Sequence, residues 1–428
     1  MKDDLRVLYN GEEMGWLTRK RRGPGGLRFR YSDSWQERPV PTPLSLGMPV
    51  DDQVHAGDHL ENWLWGLLPD DEQVLRRWAQ AEQVAANDLF GLLYHFGEDV
   101  AGAVQFLDPD REGDAGGDDI RWLSDADIAE RIKALQRDHS QARHSDDPGR
   151  FSLAGMQAKT ALYRDGDRWG VPSGATPTNV IVKLAEAQEG QVINEHFCLQ
   201  LAQAMGLPAP DTRVLTADGV QAIAVDRYDR VWSDDGTVER IHQEDICQAL
   251  GFHPHQRYQN DGGPGVRDIF KLLSLHASEP DEDAAIFYHA QLFNYLVGGT
   301  DAHAKNFSVI LGPGRHVALA PLYDIASLLP YADVKAMKLA MKIGTSYDWT
   351  ATLPRHWVRL ARETGCVGNP LDVIEGMAEE LRETVAVTGD QCRENRLDHP
   401  IIPQLVEGIQ AMCDCMLMDL KKHSGSRG

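Results

Sequence analysis

The chain has 428 residues, 42% hydrophobic and 25% charged, enough for two or three domains with sizeable cores. Its formal net charge of −22 argues against autonomous nucleic-acid binding, which needs a positive surface. No run of about 18 apolar residues stands out, Met1-Lys2-Asp3-Asp4-Leu5 lacks the apolar core of a signal peptide, and the six cysteines include no Cys-x-x-Cys, so a reduced, cytoplasmic protein with no membrane contact is expected.

Residues 1–50 read as short strands, Leu5–Tyr9, Met14–Thr18 and Leu27–Tyr31, joined by Asn-Gly and Gly-Pro-Gly-Gly turns. The basic cluster Arg19-Lys20-Arg21-Arg22, with Arg28 and Arg30, flanks the second turn. It reads as a solvated hairpin tip, with a contact to nucleic acid carried by a partner as the alternative. Pro39, Pro41, Pro43 and Pro49 punctuate an extended segment. From Leu60 to Phe106 the pattern is helical, broken at Gly91 and Gly97. Residues 108–119 are acidic and glycine-rich, hence a surface loop. Trp122–Leu135 reads as a helix capped by Ser124 or Asp125. Residues 137–149 are polar and expected to be mobile.

Next comes Phe151-Ser152-Leu153-Ala154-Gly155-Met156-Gln157-Ala158-Lys159, followed by the strand Thr160–Tyr163. A glycine-containing loop between strands can lay backbone N–H groups on a phosphate, and a lysine at its end adds charge. A plain turn has the same pattern. Asp165-Gly166-Asp167 turns the chain into Trp169–Val171. Asn179–Leu184 is an almost continuously apolar strand with one lysine, Lys183. A lysine in a buried strand is costly unless paired. It is either an edge residue with a solvated tip or a phosphate ligand paired with a glutamate. The helix Val192–Met205 offers Glu195, with Glu189 as a second candidate. After the strand Gln221–Val225, the polar connector Asp226-Arg227-Tyr228-Asp229-Arg230 reads as a hinge between two lobes.

Residues 242–267 open the second half. His253 and His255 flank a proline, and no nearby cysteine or carboxylate completes a metal set. Beyond this block the chain is mainly helical. Ile286, Ala290, Phe293 and Val297 share one helix face, and Gly298-Gly299 ends that helix. Then come Thr300-Asp301-Ala302-His303-Ala304-Lys305-Asn306, the strand Phe307–Leu311, a turn, the return strand Val317–Leu319, and Pro321-Leu322-Tyr323-Asp324. The C-terminal stretches Ile374–Leu381 and Leu405–Leu420 are amphipathic and expected to pack.

Helix, loop with Asp and Asn, hairpin, second Asp: phosphoryl transfer from a nucleotide needs this layout. One carboxylate orients the acceptor hydroxyl, and an amide oxygen with a second carboxylate holds Mg²⁺ against the phosphates. Asp301 and Asn306 have the Asp-x-x-x-x-Asn spacing of a protein-kinase catalytic loop. Asp324 stands where such kinases place their metal-binding Asp. The spacing alone is a weak signal, and the ordered context strengthens it.

These segments together resemble the HipA family of bacterial toxin serine/threonine kinases. The residues that carry the resemblance are Phe151 to Thr160, Val182-Lys183-Leu184, Asn194-Glu195-His196-Phe197-Cys198-Leu199, Gln243 to Gly251, Gly299 to Asn306 and Leu319 to Asp324. Leu89-Phe90-Gly91-Leu92-Leu93 and the first strands look like the family's N-terminal region. The resemblance implies a two-lobed, protein-kinase-like α+β fold, its N-terminal lobe rich in antiparallel strands and its C-terminal lobe mainly helical. It divides the chain into residues 1–110, 111–230 and 231–428. It also implies ATP and Mg²⁺ as cofactors. By resemblance Asp301 is the catalytic base, and Asn306 and Asp324 hold metal. Lys183 and the loop Ala154, Gly155, Met156, Gln157, Ala158 and Lys159 bind the ATP phosphates. Asp226, Arg227 and Tyr228 line the adenine side, with His303 and Tyr323 near the nucleotide. Ser152 matches a serine that family members autophosphorylate to switch themselves off. Ala158 departs from the acidic residue many relatives carry there, which bears on loop dynamics more than on chemistry. The implied partners are a HipB-like helix-turn-helix antitoxin, operator DNA through that complex, and a protein substrate, aminoacyl-tRNA synthetases being among family targets. Two alternatives stand beside this one: a small-molecule kinase of the aminoglycoside-phosphotransferase type, and a non-catalytic co-repressor pseudokinase.

Overall fold

The computed structural model describes residues 3–425 apart from 22, 24, 112–119, 144–146, 148–149, 186–187, 218 and 367. The expected acidic loop therefore lies largely outside the described residues, as do residues 144–146 and 148–149 of the polar stretch 137–149. In chain order the elements are β1 (Asp4–Tyr9), β2 (Glu12–Arg19), β3 (Leu27–Tyr31), α1 (Asp33–Gln36), β4 (Val54–Ala56), α2 (Asp58–Trp65), α3 (Glu72–Ala81), α4 (Leu89–Phe96), β5 (Val104–Leu107), β6 (Ile120–Leu123) and α5 (Asp125–Arg137). They continue with β7 (Lys159–Asp165), β8 (Arg168–Pro172), β9 (Val180–Leu184), α6 (Gln191–Ala204), β10 (Thr212–Ala217), β11 (Val220–Asp226), β12 (Arg230–Trp232), β13 (Val238–Arg240), β14 (Gln243–Asp245) and α7 (Ile246–Leu250). The rest are α8 (Val266–His276), α9 (Pro280–Val297), β15 (Ser308–Leu311), β16 (Val317–Leu319), α10 (Pro354–Thr364), α11 (Pro370–Glu394) and α12 (Ile401–Gly425). The class is α+β, as expected.

The chain forms two compact units: Met1–Glu186, Leu215–His255 and Ser308–Val317 in the first; Ala187–Val214, Gln256–Phe307 and Ala318–Gly428 in the second. Unit 1 holds the sheets. β4-β3-β2-β1-β5 is one sheet, and β11-β9-β7-β8-β6 are neighbours in another. One apolar cluster runs through the unit, from Phe29, Trp63 and Phe106 to Leu162 and Val182. Unit 2 is built on helices, with α11 and α12 packed on each other and on α6 and α10.

Three local readings of the sequence are corrected. The helical pattern from Leu60 to Phe106 resolves into α2, α3 and α4 and then a strand: β5 pairs antiparallel with β1, Val7 opposite Phe106. A short apolar run fits either period, and the open edge of β1 decides it. Gly91 does not break its helix. It sits in the first turn of α4, where its N–H would be unsatisfied and is taken by the Asp88 carboxylate at 3.1 Å. Trp122 belongs to strand β6, not to the helix after it, because Ser124 caps α5 with a reciprocal Asp127 bond.

α12 is long and apolar enough, by length and composition, to cross a membrane, with mean hydropathy 1.2 over Ile401–Lys422. Its Ile402, Leu405, Ile409, Cys413, Met416 and Leu420 fall on one helical stripe and are buried. All six cysteines are free, and only Cys415 is exposed.

The Gln243-Glu244-Asp245 block, to which sequence physics assigns no role, is an internal staple of unit 1. The Tyr228 hydroxyl donates to Gln243 at 3.0 Å. The Glu244 carboxyl accepts from Leu46 N at 2.8 Å and from the Trp63 indole at 2.9 Å. Asp245 caps α7 in a reciprocal bond with Gln248. Burial pushes the Glu244 carboxyl up to about 7.

Candidate active site

In unit 2, α9 ends where Gly298 turns left-handed at φ +77° and donates back to the last carbonyls of the helix. The chain then enters the loop that carries Asp301, which is exposed. Its backbone carbonyl accepts from His303 N at 2.7 Å and from the Asn306 side-chain amide at 2.9 Å. One short loop thus fixes both residues. The Asn306 nitrogen faces Asp301, which leaves its amide oxygen for another partner. The Asp301 carboxylate accepts from the Tyr258 hydroxyl through Oδ1 at 2.7 Å. His303 is buried, its ring edge-on to Tyr258 at 5.0 Å. Burial holds its pKa below the usual histidine value, and among the described residues its buried Nδ1 has no hydrogen-bond partner. Tyr323 donates to the Lys305 carbonyl at 2.7 Å. Asp324 follows, exposed and left-handed at φ +57°. A non-glycine residue held there stores backbone strain, which concentrates at functional sites.

In unit 1 the loop Phe151–Ala158 lies over the chain at residues 67–70 and 99. Ser152 N donates to Asp99 O at 2.9 Å and Asp70 N to Gly155 O at 3.2 Å. Ser152 is fully buried, and its hydroxyl donates to Leu67 O at 2.8 Å. Gly155 has φ +105°, a conformation L side chains rarely adopt. Lys159 Nζ closes the turn on Ala154 O at 2.6 Å. Met156 is exposed and Ala158 buried, while the Gln157 amide donates to Leu184 O at 2.7 Å.

Lys159 and Lys183 are direct cross-strand partners of β7 and β9, so both side chains leave the same sheet face. Like charges directly opposite are destabilising. An anion between them reverses that sign.

The hinge residues are placed differently from one another. Asp226 ends β11 half-buried. The Arg227 guanidinium is buried and bonded to Asp229 at 2.8 and 2.9 Å, to Thr178 at 3.0 Å and to Val100 O at 2.9 Å. The Tyr228 hydroxyl is committed to Gln243. Arg227 belongs to a buried network with Asp99, Asp229, Arg230 and Arg240. Of the two glutamates considered for Lys183, Glu195 is buried within α6 and Glu189 is exposed ahead of it.

Unit 2 therefore brings Asp301, His303 and Asn306 into one loop, and unit 1 brings Lys159 beside Lys183. Sequence reasoning missed Tyr258 and the ion network. The signal for Tyr258 was its position in a turn-rich block with no other explanation. Among the described residues no three His, Cys, Asp or Glu side chains gather as a metal site. Mg²⁺ held against a nucleotide needs only one or two protein ligands, since phosphate oxygens and water supply the rest. The amide oxygen of Asn306 and the carboxylate of Asp324 are the donor types Mg²⁺ takes. Within unit 1, Lys159 and Lys183 bring two cations to one sheet face, the charge that phosphate groups take. The residues fit ATP with Mg²⁺.

Comparison with known proteins gives the same family on independent grounds. Residues 151–388 match the HipA-like C-terminal domain and residues 5–107 the HipA N-terminal domain. The Y4mE protein of Sinorhizobium fredii is 35% identical over 395 residues, 90% of this chain and 93% of that protein. The serine/threonine-protein kinase toxin HipA of Shewanella oneidensis is 30% identical over 74% of this chain and 73% of its own length. A solved Shewanella oneidensis structure, of the HipA and HipB toxin–antitoxin system with its operator DNA, superposes with a TM-score of 0.81 over 98% of both chains at 22% identity. Two matched domains that leave out little more than the segment joining them and the C-terminal end, with a relative aligned over nine-tenths of its length, settle the family: the chain belongs to the HipA kinase toxin family.

Proposed function

We propose that this chain is an ATP- and Mg²⁺-dependent serine/threonine protein kinase, acting in the cytoplasm as the toxin of a HipA/HipB-type pair. The observation that carries the reading is the Asp301 loop, in which the Asn306 amide is bonded to the Asp301 carbonyl at 2.9 Å. That bond ties the base and a metal ligand into one rigid unit. Asp301 Oδ1 is held by Tyr258. Oδ2 has no protein donor among the described residues and accepts the proton of the acceptor hydroxyl. As that proton leaves, the acceptor oxygen bonds to the γ-phosphorus and the bond from phosphorus to the bridging oxygen breaks, releasing ADP. Lys159 and Lys183 neutralise phosphate charge. Asn306 and Asp324 would hold Mg²⁺, which would supply positive charge against the phosphates. The segment Asp226, Arg227 and Tyr228 lines the adenine side, with His303 and Tyr323 near the nucleotide.

The acceptor is a protein hydroxyl, and an aminoacyl-tRNA synthetase is the target class the family resemblance implies. Ser152 is the proposed site of inactivating autophosphorylation. A helix-turn-helix antitoxin is the proposed partner, with operator DNA reached through it. The Shewanella oneidensis complex, whose subject is HipA with HipB and operator DNA, supports that part. The test is incubation of the purified chain with γ-labelled ATP, Mg²⁺ and cell lysate. Label in one lysate protein is expected. Label only in small molecules would replace this reading with the aminoglycoside-type kinase, and no transfer at all would favour the pseudokinase.

A further inference from the structure

Tyr258 lies in the turn-rich block ahead of α8, and its surroundings are built to fix it. Its backbone carbonyl accepts from Asp261 N and Gly263 N, both at 3.0 Å. Gly262 is left-handed at φ +87°, and a Cβ on Gly263 would lie 1.7 Å from Gln256 O, so the turn tolerates only glycine at that point. Arg257 O accepts from Ala304 N at 3.2 Å, which stitches the turn to the Asp301 loop. Both loops are tied to one further segment: Lys342 N donates to the Gln259 side chain at 2.8 Å, and Ala340 N to Thr300 O at 3.2 Å. The Tyr258 ring is flanked by the His303 edge at 5.0 Å and by the Arg257 guanidinium at 5.3 Å. Its hydroxyl reaches Asp301 across 43 residues of chain.

We propose that Tyr258 is a positioning residue for the Asp301 base. Its hydroxyl donates to Oδ1, stops rotation of the carboxylate, and presents Oδ2 to the acceptor hydroxyl. This rests on the kinase reading. The phenol keeps its own proton throughout: burial first, and the Asp301 charge second, push its pKa up to about 12. It is therefore a donor at every working pH, and the proton taken from the acceptor resides on Asp301.

The experiment compares wild type, Tyr258→Phe, Asp301→Ala and the double variant. The readout is the initial rate of label transfer from Mg²⁺ and γ-labelled ATP into lysate protein, with KM for ATP and the thermal midpoint. Tyr258→Phe should lower the rate at saturating ATP by about tenfold to a hundredfold, the range for losing a hydrogen bond to a charged group. KM for ATP and the midpoint should stay at wild-type values. In the Asp301→Ala background the same change should cost nothing more, because the group it positions is gone. A wild-type rate in Tyr258→Phe, with Asp301→Ala inactive, overturns the proposal and leaves the kinase reading intact. A faster rate makes Tyr258 a blocking group and overturns it too. Equal losses in both backgrounds, or a lowered midpoint, assign Tyr258 to structure alone and also overturn it. Full activity in Asp301→Ala, or no transfer by wild type, overturns the kinase reading itself.

Discussion

That Asp301 and Asn306 share one loop could be read from the sequence because they lie close along the chain. Four residues separate Asp301 from Asn306, and one hairpin separates that loop from Asp324. Tyr258 was not legible, because its bond to Asp301 spans 43 residues and nothing in the sequence selects that partner. Arg227 shows the limit of reading a role from position: its side chain serves the buried ion network, and its backbone N–H and carbonyl are bonded to Asn179 and Arg230. The two carboxylates should separate in mutation. Asp301→Ala should lower phosphoryl transfer by about 10²–10⁴, the contribution of a positioned base, with ATP affinity near wild type. Asp324→Ala should lower Mg²⁺-dependent ATP affinity as well, because it removes a charged metal ligand. Titration of both variants with ATP, with and without Mg²⁺, separates the two. Equal Mg²⁺–ATP affinity in Asp324→Ala would take that residue out of the metal site.

Most strands and helices could be read from period, caps and turns. Those that could not, such as β5 and β14, are set by partners distant in sequence: β14 pairs with β15, Gln243 opposite Ile310. The Phe151–Ala158 loop depends on the same kind of distant support. Asp99 anchors its start through its own backbone, since Ser152 N donates to Asp99 O and Asp99 N to Arg150 O. The Asp99 side chain sits in the ion network with Arg227, Arg230 and Arg240 and accepts from Thr178. Burial alone would raise its pKa, but Arg230, Arg240 and Arg227 hold it at about 2, against 3.8 for the free group. A carboxyl depressed on folding gives stability that is present above the unfolded value and lost below it. This one should contribute on the order of 2 kcal/mol, lost as pH falls from about 4 to about 2. Asp99→Asn should cost about 3–5 kcal/mol at neutral pH, because it leaves buried arginines uncompensated. Denaturant titration of both proteins across that range would detect it, and an unchanged acid limb in the variant would remove Asp99 as the cause. Ser152 exploits the same support in reverse. Phosphorylation takes away the donor to Leu67 O and sets about −1.5 to −2 charges against that carbonyl in a buried site. The segment should leave its place, and Lys159 should lose its closure on Ala154. Mass spectrometry after incubation with Mg²⁺–ATP should find phosphate on Ser152, and that fraction should bind ATP weakly. Undiminished binding with Ser152 phosphorylated would sink the switch.

At the scale of the whole molecule, charge decides what the chain can do alone. The net charge of −22 repels a polyanion over most of the surface. Among the described residues of the basic cluster, Lys20, Arg21, Arg28 and Arg30 are exposed, at the β2–β3 hairpin. Four cations release too few counterions to hold DNA at physiological salt, where non-specific affinities are already only about 10⁻⁴–10⁻⁶ M. The isolated chain should therefore leave operator DNA unshifted in a mobility assay at about 150 mM salt. A neighbouring helix-turn-helix protein should shift that DNA, and the chain should add to the shifted complex. Expression of the wild-type chain alone should stop growth under the proposed function, because a kinase acts catalytically and a small amount suffices. Asp301→Ala, which keeps the fold and loses the base, should be harmless. Co-expression of the helix-turn-helix partner should restore growth to the wild-type chain. Growth unaffected by protein verified as active would argue for a small-molecule substrate in place of a protein. Arrest by Asp301→Ala equal to that by wild type would place the toxicity outside phosphoryl transfer.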